Sequence, residues 1–171
     1  MSQALLVIDL QNDYFPGGKF PLCNTEAILE TIVQTIGRAK QKGIAVIHIQ
    51  HIADSSRGVA PFFNAGTTGA DIHSLVLAAA PDAPIVVKAF ADSFVGTTLE
   101  ETLSKLGVTE IFICGMMTQN CVTHTAISKS AEKYAVTVLP DACTTVSEML
   151  HLIALHALST RTSFVHSTEA I

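Results

Sequence analysis

Positive charge is in short supply. Lys and Arg together number 10 against 15 Asp and Glu, a formal net charge of −5, and no run of basic residues occurs. Nucleic acid and anionic membrane surfaces are gripped by such runs, so both are set aside as partners in favour of a small molecule. No apolar stretch reaches the ~20 residues that a spanning helix needs. Ala4-Leu5-Leu6-Val7-Ile8 has no basic region before it and no small-residue cleavage site after it, so no signal peptide is expected and the chain reads as soluble and cytoplasmic. Cys23, Cys114, Cys121 and Cys143 include no CxxC pair, which suits reduced thiols better than a disulfide scaffold. Nucleotide-binding signatures are missing too: no GxGxxG follows the first apolar run, and no GxxxxGK[ST] occurs anywhere. The absence of a GxSxG elbow removes a serine hydrolase of the usual kind.

What is present is one core's worth of apolar residues. With 171 residues, 49% of them hydrophobic, the chain fits a single domain spanning 1–171. Short β-branched runs alternate with longer helical stretches, the mark of a parallel sheet wrapped by helices. Strands are expected at 4–9, 44–50, 84–88, 110–114, 135–139 and 162–166. Ile28, Leu29, Ile32, Val33 and Ile36 repeat at helical spacing between Asn24, a candidate N-cap, and Gly43, a stop. Further helices are expected near 97–106, 119–133 and 146–160. The stretch 51–83 is long, rich in Gly and Pro and only weakly helical, the kind of segment that usually serves a site.

Ligands of open parallel sheets bind beyond the carboxyl ends of the strands. Three such ends carry reactive groups. Asp9 closes the first strand where apolar sequence gives way to loop, although a turn or cap role accounts for it equally well. Lys88 ends the third, where a lysine taken alone simply snorkels to water. After the fourth strand, Thr118 is placed to cap a helix whose first turn holds Cys121, and free amides there favour a thiolate. The plain reading of a free cysteine is a small buried hydrophobe, and it is applied to Cys23, Cys114 and Cys143. Together the three groups make a catalytic set: Asp9 as general base, Lys88 as stabiliser of anions, Cys121 as nucleophile.

The segments Leu6-Val7-Ile8-Asp9-Leu10-Gln11-Asn12-Asp13-Tyr14-Phe15, Val86-Val87-Lys88, Cys114 to Val122, and Pro140-Asp141-Ala142-Cys143 come in this order. Over nearly the whole chain they resemble the motifs of the isochorismatase-like cysteine hydrolases, which include nicotinamidases and N-carbamoylsarcosine amidase. The resemblance implies a three-layer, Rossmann-like α/β/α fold with a six-stranded parallel sheet in order 3-2-1-4-5-6, and a homo-oligomer, dimeric or tetrameric. It implies Asp9, Lys88 and Cys121 as the triad, a cis peptide between Met116 and Met117, and an oxyanion hole from the amides of Met117 and Cys121. In that strand order Lys88 must lean back across the pocket to meet Asp9. The implied activity is hydrolysis of a C–N bond in a small amide or ureido substrate, without a cofactor. The alternatives are vinyl ether hydrolysis of the isochorismatase type and an inactive member acting as a binding protein.

One departure matters. Nicotinamidases of this family carry a metal-binding Asp-x-His after the second strand, and here His51 and Ala53 hold those places. No metal is therefore expected. His48 and His51 point to opposite faces of a strand and make no pair, while His51 is placed to line the pocket. His124 reads as a helix-packing residue, and His151 and His156 as helix surface. Among aromatics near strand ends, Phe15, Phe62, Phe63 and Phe94, the preferred pocket walls are Phe15 and Phe94. Gln11 and Thr118 are the preferred polar contacts to substrate, with Gln119 and Asn120 beside them.

Overall fold

In the computed structural model, which describes residues 2–171, six strands form one sheet in the order β3-β2-β1-β4-β5-β6, and every neighbouring pair is parallel. The strands are β1 (Ser2–Ile8), β2 (Ala45–His51), β3 (Ile85–Lys88), β4 (Val108–Met116), β5 (Ala135–Thr144) and β6 (Ser163–Phe164). The helices are α1 (Thr25–Gln41), α2 (Ser74–Ala79), α3 (Leu99–Lys105), α4 (Thr123–Ala126), α5 (Glu148–Leu158) and α6 (Ser167–Ala170). This is the doubly wound order expected, with β1 and β4 side by side at the centre. No helix among the described residues is long and apolar enough to cross a membrane.

Alternation along the strands builds two cores. Leu5 and Val7 of β1 and Phe112 and Cys114 of β4 face α1, whose Leu29, Ile32 and Ile36 complete that layer with Phe63, Val76 and Ile171. Leu6, Ile8, Ile47, Ile49, Ile111 and Ile113 face the other way, onto Leu99 and Leu103 of α3, Val122, Ala126 of α4 and Leu158 of α5. Central parallel strands buried on both faces must be apolar throughout, as Ala4 to Ile8 are. Each fully buried Ile or Leu contributes roughly 2 kcal/mol.

Two local expectations change. Asn24 occupies the N-cap position of α1 in a left-handed conformation and makes no side-chain cap bond. The helix expected over 119–133 is broken into a π-helical turn at Thr118–Val122, the single turn of α4, and a 3-10 turn at Lys129–Lys133. Gly115 has a φ of 124°, and a side chain there would run into the Ile8 carbonyl. Backbone contact this close between β1 and β4 sets Asp9 beside the turn that carries Cys121.

Candidate active site

Asp9 follows β1 in a left-handed conformation, φ 55°, with its amide donating to the Ile49 carbonyl at 3.0 Å. Asp tolerates that region better than most residues, and the conformation is imposed by its neighbours. Lys88 ends β3 in register with His51 of β2, and its side chain crosses β2 as the strand order demands. Its Nζ lies 3.1 Å from Asp9 Oδ2, 3.2 Å from Cys121 Sγ, 2.9 Å from His51 Nδ1 and 3.0 Å from the Phe90 carbonyl oxygen. Four chain segments thus meet at one ammonium. Asp9, Lys88 and Cys121 are all at most 2% exposed. The approach of Lys88 to Asp9 is that of an ion pair, and neither carboxylate oxygen accepts a hydrogen bond of regular geometry.

Burial alone would lower the Lys88 pKa, but Asp9 and Cys121 beside it outweigh that and hold the ammonium above its ordinary range. Cys121 goes the other way from expectation. Burial first, and then the Asp9 carboxylate, push its thiol far up, and the opposing pull of Lys88 is too small to reverse this. The resting group is a thiol. The anticipated helix N-terminus is a π turn followed by four helical residues, too short for a macrodipole to compete with desolvation.

Beside His51 a cleft of about 420 Å³ is walled by Ala53, Val59, Ala60, Pro61 and Phe90, with Arg57 among its lining residues. Other sequence-based candidates lie elsewhere or are already engaged. Gln11 is fully buried, donating to the carbonyls of His51 and Ala70 and accepting from the His51 amide. Both amide hydrogens are spent, so it pins β2 and the long segment and has no donor left for substrate. Thr118 does not cap the helix: Met117 takes the N-cap position, and Thr118 Oγ1 is 2.8 Å from His151 Nδ1. His151 is accordingly half-buried and not a free surface group, while His124, expected to pack, is exposed and within 2.8 Å of the Asn120 carbonyl. Phe94 shares a core with Cys121. Phe15 lies in the other core, against His73 with ring centroids 4.6 Å apart. Gln119 reaches only the Met117 sulfur. The Met116–Met117 peptide is cis.

Tyr14 and Asp13 escaped the sequence reading as site residues. Tyr14 is buried against Phe20, Phe62 and Phe63, and its hydroxyl is pushed up by burial and then by Asp9 and Cys121. Asp13 accepts from the amides of Lys19 and Phe63, tying two loops together. Their place between Asp9 and Phe15 in the first motif was the available signal.

Asp9, His51 and Cys121 offer oxygen, nitrogen and sulfur atoms within 4.8 Å of one another, a trio a metal ion accepts. Lys88 contacts all three and already places a cation there. Of the expected metal-binding pair, Ala53 has no ligand atom and His51 Nδ1 faces the ammonium. The residues present do not fit a metal.

Fold and site together define a doubly wound α/β protein with a buried aspartate, lysine and cysteine at the carboxyl edge of its sheet. The chain matches the isochorismatase domain over residues 3–170 and belongs to that family of hydrolases. It is similar to an uncharacterized isochorismatase family protein, YddQ, of Bacillus subtilis, 35% identical with 99% of this chain and 98% of the relative covered. It is also 27% identical to the nicotinamidase/pyrazinamidase of Mycobacterium tuberculosis, covering 92% and 95%. The crystal structure of an isochorismatase hydrolase from Oleispira antarctica superposes with a TM-score of 0.89 at 32% identity, covering 99% of this chain and 95% of that one.

Proposed function

We propose that this isochorismatase-family hydrolase is an amidohydrolase cleaving the C–N bond of a small amide or ureido substrate through a thioester on Cys121. The observation that carries the reading is the Lys88 ammonium, within 3.2 Å of both Asp9 and the Cys121 sulfur in a water-excluded position. Because the thiol rests protonated, sulfur attack and proton transfer to Asp9 occur together. The S–C bond forms, the carbonyl becomes an oxyanion, and the amides of Met117 and Cys121 receive it. Asp9 then returns its proton to the nitrogen, the C–N bond breaks and the amine or ammonia leaves. Water enters and gives a proton to Asp9 as it attacks the thioester, and sulfur leaves carrying that proton back as the thiol. Lys88 keeps its charge throughout and steadies whichever of Asp9 or sulfur is anionic.

Vinyl ether hydrolysis needs an acid and an activated water but no nucleophilic thiol, and this chain keeps a thiol at the focus of the site. Mass spectrometry of enzyme quenched during turnover of an amide panel is expected to show an acyl adduct on Cys121, with Cys121→Ala inactive and folded. Isochorismate turned over equally well by Cys121→Ala would refute the nucleophile assignment.

A further inference from the structure

His51 is held more firmly than a pocket-lining side chain requires. Its backbone is clamped on both sides by Gln11, whose Oε1 accepts from its amide and whose Nε2 donates to its carbonyl, each at 2.8 Å. Its ring is fixed by Lys88, 2.9 Å from Nδ1. An ammonium only donates, so Nδ1 must accept, and the imidazole is neutral with its proton on Nε2. Burial first, and then Lys88, disfavour a second proton, against the weaker pull of Asp9. Nε2 has no hydrogen-bond partner among the described residues and is not sealed from solvent, and the residue lines the cleft beside Phe90 and Pro61. The imidazole presents a ligand atom within 4.8 Å of the Cys121 sulfur.

We infer that His51 is a specificity-determining residue whose Nε2–H donates to a second acceptor on the substrate, so that the substrate class is an amide bearing another carbonyl-type oxygen a few bonds from the scissile carbonyl. A hydrogen-bond donor fixed on the inner side of a cleft otherwise walled mainly by Ala53, Val59, Ala60 and Pro61, with Arg57 also lining it, selects against an analogue that leaves it unpaired. This rests on the amidohydrolase reading for its substrate but not for its geometry. His51 also places an obligatory acceptor on Lys88, so substitutions there alter turnover generally, and only a ratio between matched substrates isolates the donor.

The test compares levulinamide, whose keto oxygen is the second acceptor, with its isosteric analogue in which a methylene group replaces that oxygen. Wild type is expected to favour levulinamide about tenfold in kcat/KM, the worth of one such hydrogen bond. His51→Phe, with similar bulk and no donor, is expected to bring the ratio to one, and His51→Gln to restore part of it. A wild-type ratio of one, or a ratio that survives His51→Phe, overturns the inference. Nitrogen-15 NMR of the imidazole gives a readout independent of turnover: the proton is expected on Nε2 in wild type, and a proton on Nδ1 also overturns it. If neither amide is hydrolysed and Cys121 acquires no adduct, the amidohydrolase reading fails, while the tautomer and the ratio of binding constants for the two compounds still decide the role of His51.

Discussion

Lys88 directs its three N–H bonds at Cys121, His51 and the Phe90 carbonyl and pairs its charge with Asp9, all in a buried position. Lys88→Met leaves the Asp9 carboxylate buried without its counter-charge, so a loss of about 3 to 5 kcal/mol is expected in urea unfolding at neutral pH. The double variant Asp9→Asn, Lys88→Met is expected to recover about 2 kcal/mol of it, since the orphaned charge goes too. A loss in the double variant equal to the sum of the losses in Lys88→Met and Asp9→Asn alone would show that the pair is not coupled. Asp9→Asn separates proton transfer from sulfur reactivity. Turnover is expected to fall at least ~100-fold for want of a base. The thiol, relieved of the neighbouring anion that raises its pKa and left with Lys88 as its sole strong neighbour, should titrate at lower pH. Alkylation of Cys121 by iodoacetamide, followed against pH by mass spectrometry, is expected to begin at lower pH in Asp9→Asn than in wild type.

The site's precision comes from segments that a helix-and-strand pattern does not describe. The stretch between β2 and β3 holds two 3-10 turns, Ser55–Arg57 and Thr68–Ala70, before α2. It is fastened to the first motif by Asp13 with the Phe63 amide, by Gln11 with the Ala70 carbonyl, and by a bridge between Gln11 and Ile72. Gly69 packs directly on the Asp13 carboxylate, and a Cβ there would displace it. Gly69→Ala is therefore expected to loosen the 51–83 segment selectively, read as faster proteolysis between Ser55 and Ala70 with the sheet retained by circular dichroism. Gly115→Ala acts on the sheet itself. It drives a methyl group into the Ile8 carbonyl and imposes an unfavourable φ on alanine. A loss of at least ~2 kcal/mol in chemical unfolding is expected, with activity lost in parallel because Asp9 and Cys121 part company.

At the scale of the whole molecule, buried and half-buried histidines contribute to acid sensitivity. His48, His51, His73 and His151 all have pKa values lowered by burial before any other cause. His48 is the most enclosed, with Nε2 at 3.1 Å from the Ala80 carbonyl and an unpartnered Nδ1 that has no acceptor waiting for a proton. Above the ordinary histidine pKa of about 6.5, these groups are neutral folded and unfolded, and stability does not depend on them. As pH falls through that value the unfolded chain binds protons first, so stability declines until the lower folded values are reached. The melting temperature is expected to be flat from about pH 7 to 8 and to fall from about pH 7 to 5, as scanning fluorimetry will show. A flat profile down to pH 5 would contradict the burial assigned to these rings.

The sequence by itself determined the class of fold and singled out Asp9, Lys88 and Cys121, the three residues that meet at the carboxyl edge of the sheet, because a period of two or 3.6 residues and the end of an apolar run are local properties. It also carried the cis peptide and the strand order, through motifs that resemble a known family. It did not decide the protonation of Cys121, the engagement of Gln11, the hold of His151 on Thr118, or the side of the sheet on which Phe15 lies. Each depends on which distant residues close around a group. Cys121 is a thiol because Asp9, far away in the chain, is brought beside it when β4 pairs with β1, and because both are buried. His51 is a donor because Lys88 reaches it across the edge of the sheet. Desolvation and hydrogen-bond partnership are set by three-dimensional neighbours, so the same side chains acquired their chemical state only when the tertiary structure assembled them.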